Sequence, residues 1–290
     1  MSTKPTITAI VPYFGSKRRL APVIVEALGK HSAYWEPFCG SMAVLLAKPP
    51  SGHETVNDLN GDLINLARII QDRQRGAVLY RRLRRVLCDE NIRDELLVAP
   101  PTDDPIERAF RYFVISWLGR NGFCGTKGCD ASSFAVRWTP SGGHGGQRFN
   151  SAVASIPAWR ERMRRPLILQ RDGFDVIENI ADVPGVAIYC DPPYFQKDAE
   201  YIHDFRDGGM FGDDHARLAA ALARFKKARV VVSYYAHPRL AELYPQESWE
   251  IRDCTISKGL HNAGRRGSEI KYAPEVLICN QGGVAKCCMT

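Results

Sequence analysis

Strand and helix signals alternate along two separated stretches of this chain, and that alternation restricts the fold more than any other feature of the sequence. From Ser32 to Gln71 a short strand, YWEPF, leads through a small-residue turn into the helical AVLLA, and a second strand, HETVND, leads into LINLARII. The same rhythm returns from Pro166, where the apolar strands VAIYC and RVVVSYY flank the amphipathic HARLAAALARF. Such alternation is typical of a parallel sheet covered by helices, so the sequence predicts the α/β class.

The stretch between the two α/β parts has a different character. It opens with an arginine-rich helix and continues into GRNGFCGTKGCDASSFAVRWTPSGGHGGQRFN, whose glycine, serine and aromatic content indicates loops and a hairpin. We therefore predict one α/β domain in two halves, residues 1–71 and 166–290, with a small domain inserted over residues 72–165.

Composition restricts the class of protein further. Of the 290 residues, 45% are hydrophobic and 24% are charged, so the chain can bury a large core and is not expected to be disordered. The formal net charge of +7 fits an anionic partner such as nucleic acid without requiring one. Nine cysteines without any C-x-x-C spacing disfavour a disulfide framework and a zinc ribbon. No stretch approaches the roughly 18 apolar residues of a membrane span. We therefore expect a cytoplasmic protein that does not cross a membrane, and the cysteine spacing leads us to expect no bound metal.

The segment Asp191-Pro192-Pro193-Tyr194 follows directly on the apolar strand VAIYC. A strand that ends in two prolines stops abruptly at the carboxyl edge of the sheet, where ligand crevices form in α/β proteins. An exocyclic amine has two N–H donors, and the Asp191 carboxylate and the Pro192 carbonyl can accept one each, while Tyr194 offers a flat face to a base. An ordinary turn that caps the strand is the alternative, since Asp and Pro both favour turns.

Segments in the first half predict a ligand site there. The turn EPFCGS leads into a helix N-terminus, where free amide hydrogens can meet a carboxylate or phosphate. Asp58 ends the next predicted strand, a position from which an acidic side chain can bind ribose hydroxyls, whereas Asn60 fits better as a helix N-cap. Lys17, ahead of the first βα unit, can meet a ligand carboxylate or can belong to a solvated basic patch.

Together these segments resemble the Dam-like family of adenine-specific DNA methyltransferases. PYFGSK is similar to the family's N-terminal cofactor motif, EPFCGS to its glycine motif, NDLN to its ribose motif and DPPYF to its catalytic motif, in the family's order. SYY at 233–235 resembles the later motif near the target base, and SEIKYAPEVLICN resembles the terminal hairpin. The chain departs from the family at Met42, where a second glycine is common, and at Tyr234, which replaces an asparagine.

The resemblance implies a class I S-adenosylmethionine-dependent methyltransferase fold, Rossmann-like, with helices on both faces, an antiparallel last strand and an inserted target-recognition domain. It implies methyl transfer from S-adenosylmethionine to N6 of an adenine flipped out of double-stranded DNA. The residues that match cofactor-binding positions are Tyr13, Lys17, Glu36, Phe38, Gly40, Asp58, Asp172 and Asp191. The residues that match the catalytic motif are Asp191, Pro192, Pro193 and Tyr194.

Basic residues supply the expected DNA contacts. Arg120 and Asn121 resemble the start of the family's DNA-reading hairpin, and Lys258, Arg265 and Arg266 lie in a glycine-bearing loop at the edge of the inferred cleft. The other arginine-rich segments, AVLYRRLRRVL and the stretch at 162–165, are expected to be solvated faces rather than phosphate contacts.

Two alternatives remain open at the level of sequence. Cytosine N4 methylation uses the same chemistry on an amine, although those enzymes usually carry Ser in place of Asp191. The second alternative is a DNA-binding relative that has lost its activity. The intact Lys17, Asp58 and DPPY tetrapeptide argue against it. The resemblance also allows a restriction enzyme as partner, and a monomer or weak dimer as the assembly.

Overall fold

The computed structural model describes most of the chain, and the described residues are 7–13, 15–119, 133–136, 144–195, 207–209, 212–257 and 272–282. The residues expected to contact DNA lie outside these ranges, namely Arg120, Asn121, Lys258, Arg265 and Arg266. None of the helices formed by the described residues is long and apolar enough to cross a membrane.

The strands of the described residues are β1 (Ala33–Glu36), β2 (His53–Asn57), β3 (Leu167–Leu169), β4 (Val186–Cys190), β5 (Asp207–Gly209), β6 (Gly212–Asp213), β7 (Arg229–Tyr235), β8 (Trp249–Asp253), β9 (Ile256–Ser257), β10 (Tyr272–Ala273) and β11 (Glu275–Asn280). Seven of them form one sheet in the order β3-β2-β1-β4-β7-β11-β8. The five strands from β3 to β7 in that order are parallel, and β11 is antiparallel to both of its neighbours.

The helices of the described residues are α1 (Ala21–Leu28), α2 (Ala43–Ala47), α3 (Gly61–Gln71), α4 (Arg73–Leu83), α5 (Glu90–Val98), α6 (Pro105–Leu118), α7 (Gly145–Met163), α8 (Gly173–Glu178), α9 (Asp214–Ala223) and α10 (Leu240–Leu243). Several begin where a short polar side chain accepts hydrogen bonds from the first free amides, as Asn60 does for α3 and Asp172 for α8. The expected N-cap role of Asn60 is therefore confirmed.

Hydrophobic residues cover both faces of the sheet. Side chains alternate along β4, so Ala187 and Tyr189 join a core with α1, α3, α6 and α7, whereas Ile188 and Cys190 join a core with α8, α9 and α10. Strands buried on both faces read as continuous apolar runs, as VAIYC does. The expected α/β fold of the class I methyltransferase type, with helices on both faces and an antiparallel last strand, is confirmed.

The strand order creates a switch point in the middle of the sheet. The chain runs outwards from β1 through β2 to β3, and then returns to place β4 on the other side of β1. The loops that follow β1 and β4 therefore leave the sheet in opposite directions and open a crevice at its carboxyl edge.

Residues 72–165 are more helical than their composition suggested. The helices α4 to α7 occupy most of this stretch, and Phe113 of α6 and Trp159 of α7 share a core with the residues of α3. The glycines that indicated loops lie at helix ends, as Gly145 does, or outside the described residues. Division of the chain at 72 and 165 stays a prediction.

Two arginines of this stretch have partners within the chain. Arg82 donates to Glu107 and lies over the ring of Phe110, and Arg162 makes two hydrogen bonds to the buried carboxylate of Glu54. These pairs stabilise the packing of helices on the sheet, and they leave less reason to assign Arg82 or Arg162 to phosphate.

Candidate active site

One cleft at the switch point is lined by the segments that the sequence analysis identified as candidate binding and catalytic motifs. It encloses about 1120 Å³ of empty space when its open mouth is included. The lining includes every residue predicted to bind a cofactor and both prolines of the predicted catalytic motif: Tyr13, Lys17, Glu36, Phe38, Gly40, Asp58, Asp172, Asp191, Pro192 and Pro193. Parallel strands end at one edge, which is why residues so far apart in sequence meet here.

The turn after β1 is shaped by two residues with positive φ. Gly40 has φ 41°, and a Cβ at this position would stand 3.3 Å from the ring of Tyr13, so the close approach of that ring favours glycine. Met42 has φ 58° and ψ 29° and is fully buried. The chain thus keeps the left-handed turn at the position where the family often has glycine, with a buried side chain in its place.

Asp58 ties the glycine turn to the end of β2. Its Oδ2 accepts from the amide of Gly40 at 2.8 Å, and its Oδ1 accepts from the amide of Asn60 at 2.9 Å. These two hydrogen bonds fix the orientation of the Asp58 side chain at the edge of the cleft.

Lys17 joins the N-terminal segment to the DPPY tetrapeptide. Its Nζ donates to the carbonyl of Gly15 at 2.6 Å and lies 3.0 Å from Oδ1 of Asp191 and 4.0 Å from Oε1 of Glu275. Burial by itself lowers the pKa of Lys17, but the carboxylates of Asp191 and Glu275 outweigh that effect and the net pKa is raised. Lys17 is therefore a buried cation, and the alternative of a solvated basic patch is wrong.

Asp191 stands directly after β4 with its side chain 23% exposed to the cleft. Oδ1 accepts a hydrogen bond from the hydroxyl of Ser233 at 2.8 Å as well as the contact from Lys17. The Ser233 hydroxyl lies in turn 2.9 Å from that of Tyr189. Two donors on one oxygen hold the carboxylate in a defined orientation.

Tyr194 is packed into the protein rather than exposed in the cleft. Its side chain is covered, its hydroxyl donates to Oε2 of Glu275 at 3.0 Å, and its ring meets that of Tyr235 edge-on at 4.8 Å. The ammonium of Lys17 lies 4.8 Å from the ring centroid. The flat face that the sequence suggested for a base is occupied in this conformation.

The residue after the tetrapeptide is held by a stack of rings. Phe195 lies between His215 at 3.6 Å and His237 at 4.5 Å, measured between ring centroids. His215 also lies 3.1 Å from the hydroxyl of Tyr234, the residue that replaces the family's asparagine. The backbone that follows β4 is therefore anchored on side chains from α9 and the segment after β7.

Glu36 is a buried acid at the end of β1. Its carboxyl group accepts a hydrogen bond from the hydroxyl of Tyr34 at 2.9 Å. Burial raises the pKa of Glu36 to about 8, and the bond from Tyr34 opposes that rise only in part. The side chain is therefore mostly neutral at pH 7.

Flat apolar groups form the wall of the cleft next to α8. Asp172 caps α8 through the amide of Phe174 at 2.8 Å. A Cβ at Gly173 would overlap the ring of Phe38, so this glycine allows the ring to lie against the start of α8. Arg217 of α9 stands 3.9 Å from the ring centroid of Phe174 and also lines the cleft.

Sequence reasoning missed several contributors to this cleft. Glu275 and Ser233 lie in segments that were noted only for their resemblance, and Asp214 and Arg217 of α9 were noted only as helix. A usable signal existed for Glu275 in SEIKYAPEVLICN, because an acidic residue at the head of an apolar strand needs a partner when it is buried.

Comparison with known proteins finds similarity to adenine-specific DNA methyltransferases. Residues 13–97 match the family of D12 class N6 adenine-specific DNA methyltransferases. The chain is similar to the retron Ec67 DNA adenine methylase of Escherichia coli, with 28% identity over 221 residues that span 74% of this chain and 72% of that protein.

Solved structures of low similarity are also found. One is a precorrin-6y C5,15-methyltransferase from Geobacter metallireducens, with TM-score 0.38 and 9% identity over 90% of this chain and 85% of that one. Another is the rRNA methyltransferase aviRa from Streptomyces viridochromogenes, with TM-score 0.41 and 16% identity over 91% of this chain and 84% of that one. The strand order and the strand directions of the sheet define the fold.

Proposed function

We propose that this chain, which belongs to the Dam-like family of adenine-specific DNA methyltransferases, takes its methyl group from S-adenosylmethionine and transfers it to N6 of an adenine flipped out of double-stranded DNA. One observation carries this proposal: Asp191, at the head of the DPPY tetrapeptide, lies 3.0 Å from the buried ammonium of Lys17 inside a single switch-point cleft. The carboxylate that would accept an amine hydrogen and the cation that would meet the cofactor carboxylate therefore lie within one cleft.

The donors and acceptors of the cleft fit S-adenosylmethionine. Lys17 has three N–H bonds, and its partners Gly15 and Asp191 account for two, so one can be donated to a ligand carboxylate. Asp58, whose carboxylate is oriented by the amides of Gly40 and Asn60, would accept hydrogen bonds from the ribose hydroxyls. Phe38 and Phe174 supply apolar surface for a purine ring beside Asp172.

The methyl donor supplies an electrophilic carbon on a good leaving group, so transfer to an amine needs no nucleophile from the protein. The task of the residues is alignment of the amine, which is worth a large share of the barrier in reactions of two bound partners. The Asp191 carboxylate and the Pro192 carbonyl would accept the two N6 hydrogens and bring the nitrogen lone pair out of conjugation with the ring. Transfer would join N6 to the methyl carbon as the carbon–sulfur bond breaks, and one N6 proton would leave to solvent.

A base within a duplex cannot reach a crevice of this kind, so the adenine must leave the stack, at a cost of about a few kcal/mol. The exposed part of Asp191 marks where it would enter. Contact of the base with Tyr194 stays a prediction, and it requires the tyrosine ring to be uncovered first.

The test is a methylation assay on purified protein. Double-stranded DNA is incubated with S-adenosylmethionine and digested to nucleosides, and modified bases are identified by mass spectrometry. We expect N6-methyladenine with the wild type and none with Asp191→Ala, while Asp103→Ala, which changes an exposed loop aspartate, serves as the control and retains activity.

Each other outcome has a distinct meaning. N4-methylcytosine as the product would establish the alternative substrate. DNA binding without any modified base would establish the inactive relative. Full methylation by Asp191→Ala would contradict the mechanism, because the mechanism requires the Asp191 carboxylate to accept an N6 hydrogen.

A further inference from the structure

The side chain of Ser233 lies in the wall behind the DPPY tetrapeptide and is fully buried. It belongs to β7, the parallel neighbour of β4, in which Val232 is the partner of Cys190. One residue further along both strands, Ser233 is level with Asp191, and its hydroxyl donates to Oδ1 at 2.8 Å. The sheet register therefore sets this contact, and flexible loops do not.

The direction of the hydrogen bonds is determined by the number of protons. A serine hydroxyl has one proton, and Asp191 as a carboxylate can only accept, so the proton of Ser233 points to Asp191. The hydroxyl of Tyr189, at 2.9 Å, must then donate to Ser233. Burial raises the pKa of Tyr189 well above 10, so this donor keeps its proton throughout the neutral range.

Both donors to Asp191 reach the same oxygen. Among the described residues, Ser233 and Lys17 contact Oδ1. The terminal torsion of an aspartate is broad and lacks a sharp intrinsic preference, so the orientation of the carboxylate depends on its partners. With Oδ1 held from two sides, Oδ2 is the oxygen presented to the cleft.

We propose that Ser233 is a positioning residue that holds Oδ1 of Asp191 and so directs Oδ2 towards the amine of the substrate. This inference rests on the function proposed above, because it assigns the amine to Asp191. Ser233 itself does not touch the substrate, and its effect is on the alignment of the reacting atoms. Lys17 alone can attract the carboxylate as a charge, but it does not fix the rotation about the terminal torsion.

The experiment compares Ser233→Thr with Ser233→Val. Threonine and valine have the same shape, so both impose the same strain on the buried strand, and only threonine retains the hydroxyl. We expect kcat of the valine variant to fall about tenfold to a hundredfold below that of the threonine variant, the range associated with small misplacement of a reacting group. KM for DNA and for S-adenosylmethionine should agree between the two variants within about threefold, because only alignment is lost.

Equal kcat values for the two variants would overturn the inference, as would a loss confined to KM. If both larger variants prove unstable, Ser233→Ala, which removes the hydroxyl without added bulk, is compared with the wild type instead, and its kcat should fall by the same factor while KM stays within about threefold.

Crystal structures of the variants separate failure of this inference from failure of the proposed function. In crystal structures of the two variants we expect the Asp191 carboxylate to keep its orientation with threonine and to turn with valine. An unchanged carboxylate in both structures overturns the role of Ser233 whatever the enzyme methylates. A wild type that modifies no DNA defeats the proposed function, and the orientation of Asp191 still decides the role of Ser233.

Discussion

Replacement of Glu36 by glutamine tests the consequence of burying an acid at the end of β1. The carboxyl group is almost inaccessible to solvent and accepts one hydrogen bond from Tyr34. Burial raises its pKa from 4.5 to about 8. An acid with a raised pKa binds its proton more tightly in the folded protein, so it contributes stability that is fully present below about pH 4.5 and is lost as pH rises through 8.

The size of the effect follows from the two pKa values. Each pKa unit corresponds to 1.36 kcal/mol, so the difference between 4.5 and about 8 amounts to about 5 kcal/mol above pH 8 and about 3 kcal/mol at pH 7. Glutamine has nearly the shape of the neutral acid, can accept from Tyr34, and does not ionise. We therefore expect Glu36→Gln to have nearly wild-type stability at pH 4.5 and to be more stable by several kcal/mol at pH 8.

Urea unfolding followed by circular dichroism at pH 4.5, 6, 7 and 8 measures this difference. Glu178→Gln, at an exposed position near the end of α8, is the matched control and should leave the free energy of unfolding unchanged at every pH. If the difference between Glu36→Gln and the wild type were the same at all four pH values, ionisation of Glu36 would not be linked to folding, and the reasoning would be refuted.

Three further substitutions test the geometry of the cleft. Met42→Gly relieves a left-handed backbone conformation that costs about 1–2 kcal/mol, but it also deletes a fully buried side chain that stabilises the fold by about 2–5 kcal/mol. Urea unfolding should therefore show a lower free energy of unfolding, and a higher one would contradict the assigned packing. Gly173→Ala forces the ring of Phe38 away from α8, so calorimetry should show at least about tenfold weaker binding of S-adenosylmethionine, whereas unchanged affinity would place the purine elsewhere. Lys17→Met removes the buried cation, and a similar loss of affinity is expected; wild-type affinity would exclude Lys17 as the carboxylate partner.

The parts of this structure that could be predicted depend on local pattern and on general rules of α/β sheets. The apolar run VAIYC followed by Asp191 and two prolines indicates a buried strand that ends at a crevice, because buried parallel strands are apolar throughout and proline ends them. Likewise, the small-residue turn after YWEPF and the acid Asp58 at the end of the next strand indicate the other side of the same crevice. Each of these signals lies within a few residues of the group it predicts.

The parts that could not be predicted depend on partners distant in sequence. Ser233 and Asp191 are 42 positions apart, and Tyr194 and Glu275 are 81 apart, so their contacts follow from sheet order and register rather than from any local motif. The arginine-rich helix that opens residues 72–165 was predicted, but α5 to α7 were missed because glycine and serine in that stretch indicated loops, although Phe113 and Trp117 of α6 recur at the spacing that buries one helix face. Met42 gives no local sign of its positive φ, since methionine rarely adopts it.

Charge is distributed unevenly between the cleft and the rest of the chain. The chain has a formal net charge of +7, yet the acids that line the cleft are the four aspartates 58, 172, 191 and 214 together with Glu36, against Lys17 and Arg217. Because burial raises the pKa of Glu36 to about 8, that side chain adds little negative charge at pH 7, but the aspartates still outnumber the cations. A cleft of this sign favours a ligand with a permanent positive charge, such as a sulfonium, whereas the excess of basic residues elsewhere suits a polyanion. The two substrates proposed for this protein are thus attracted by opposite electrostatic potentials, so the cofactor need not compete with DNA for the same basic groups.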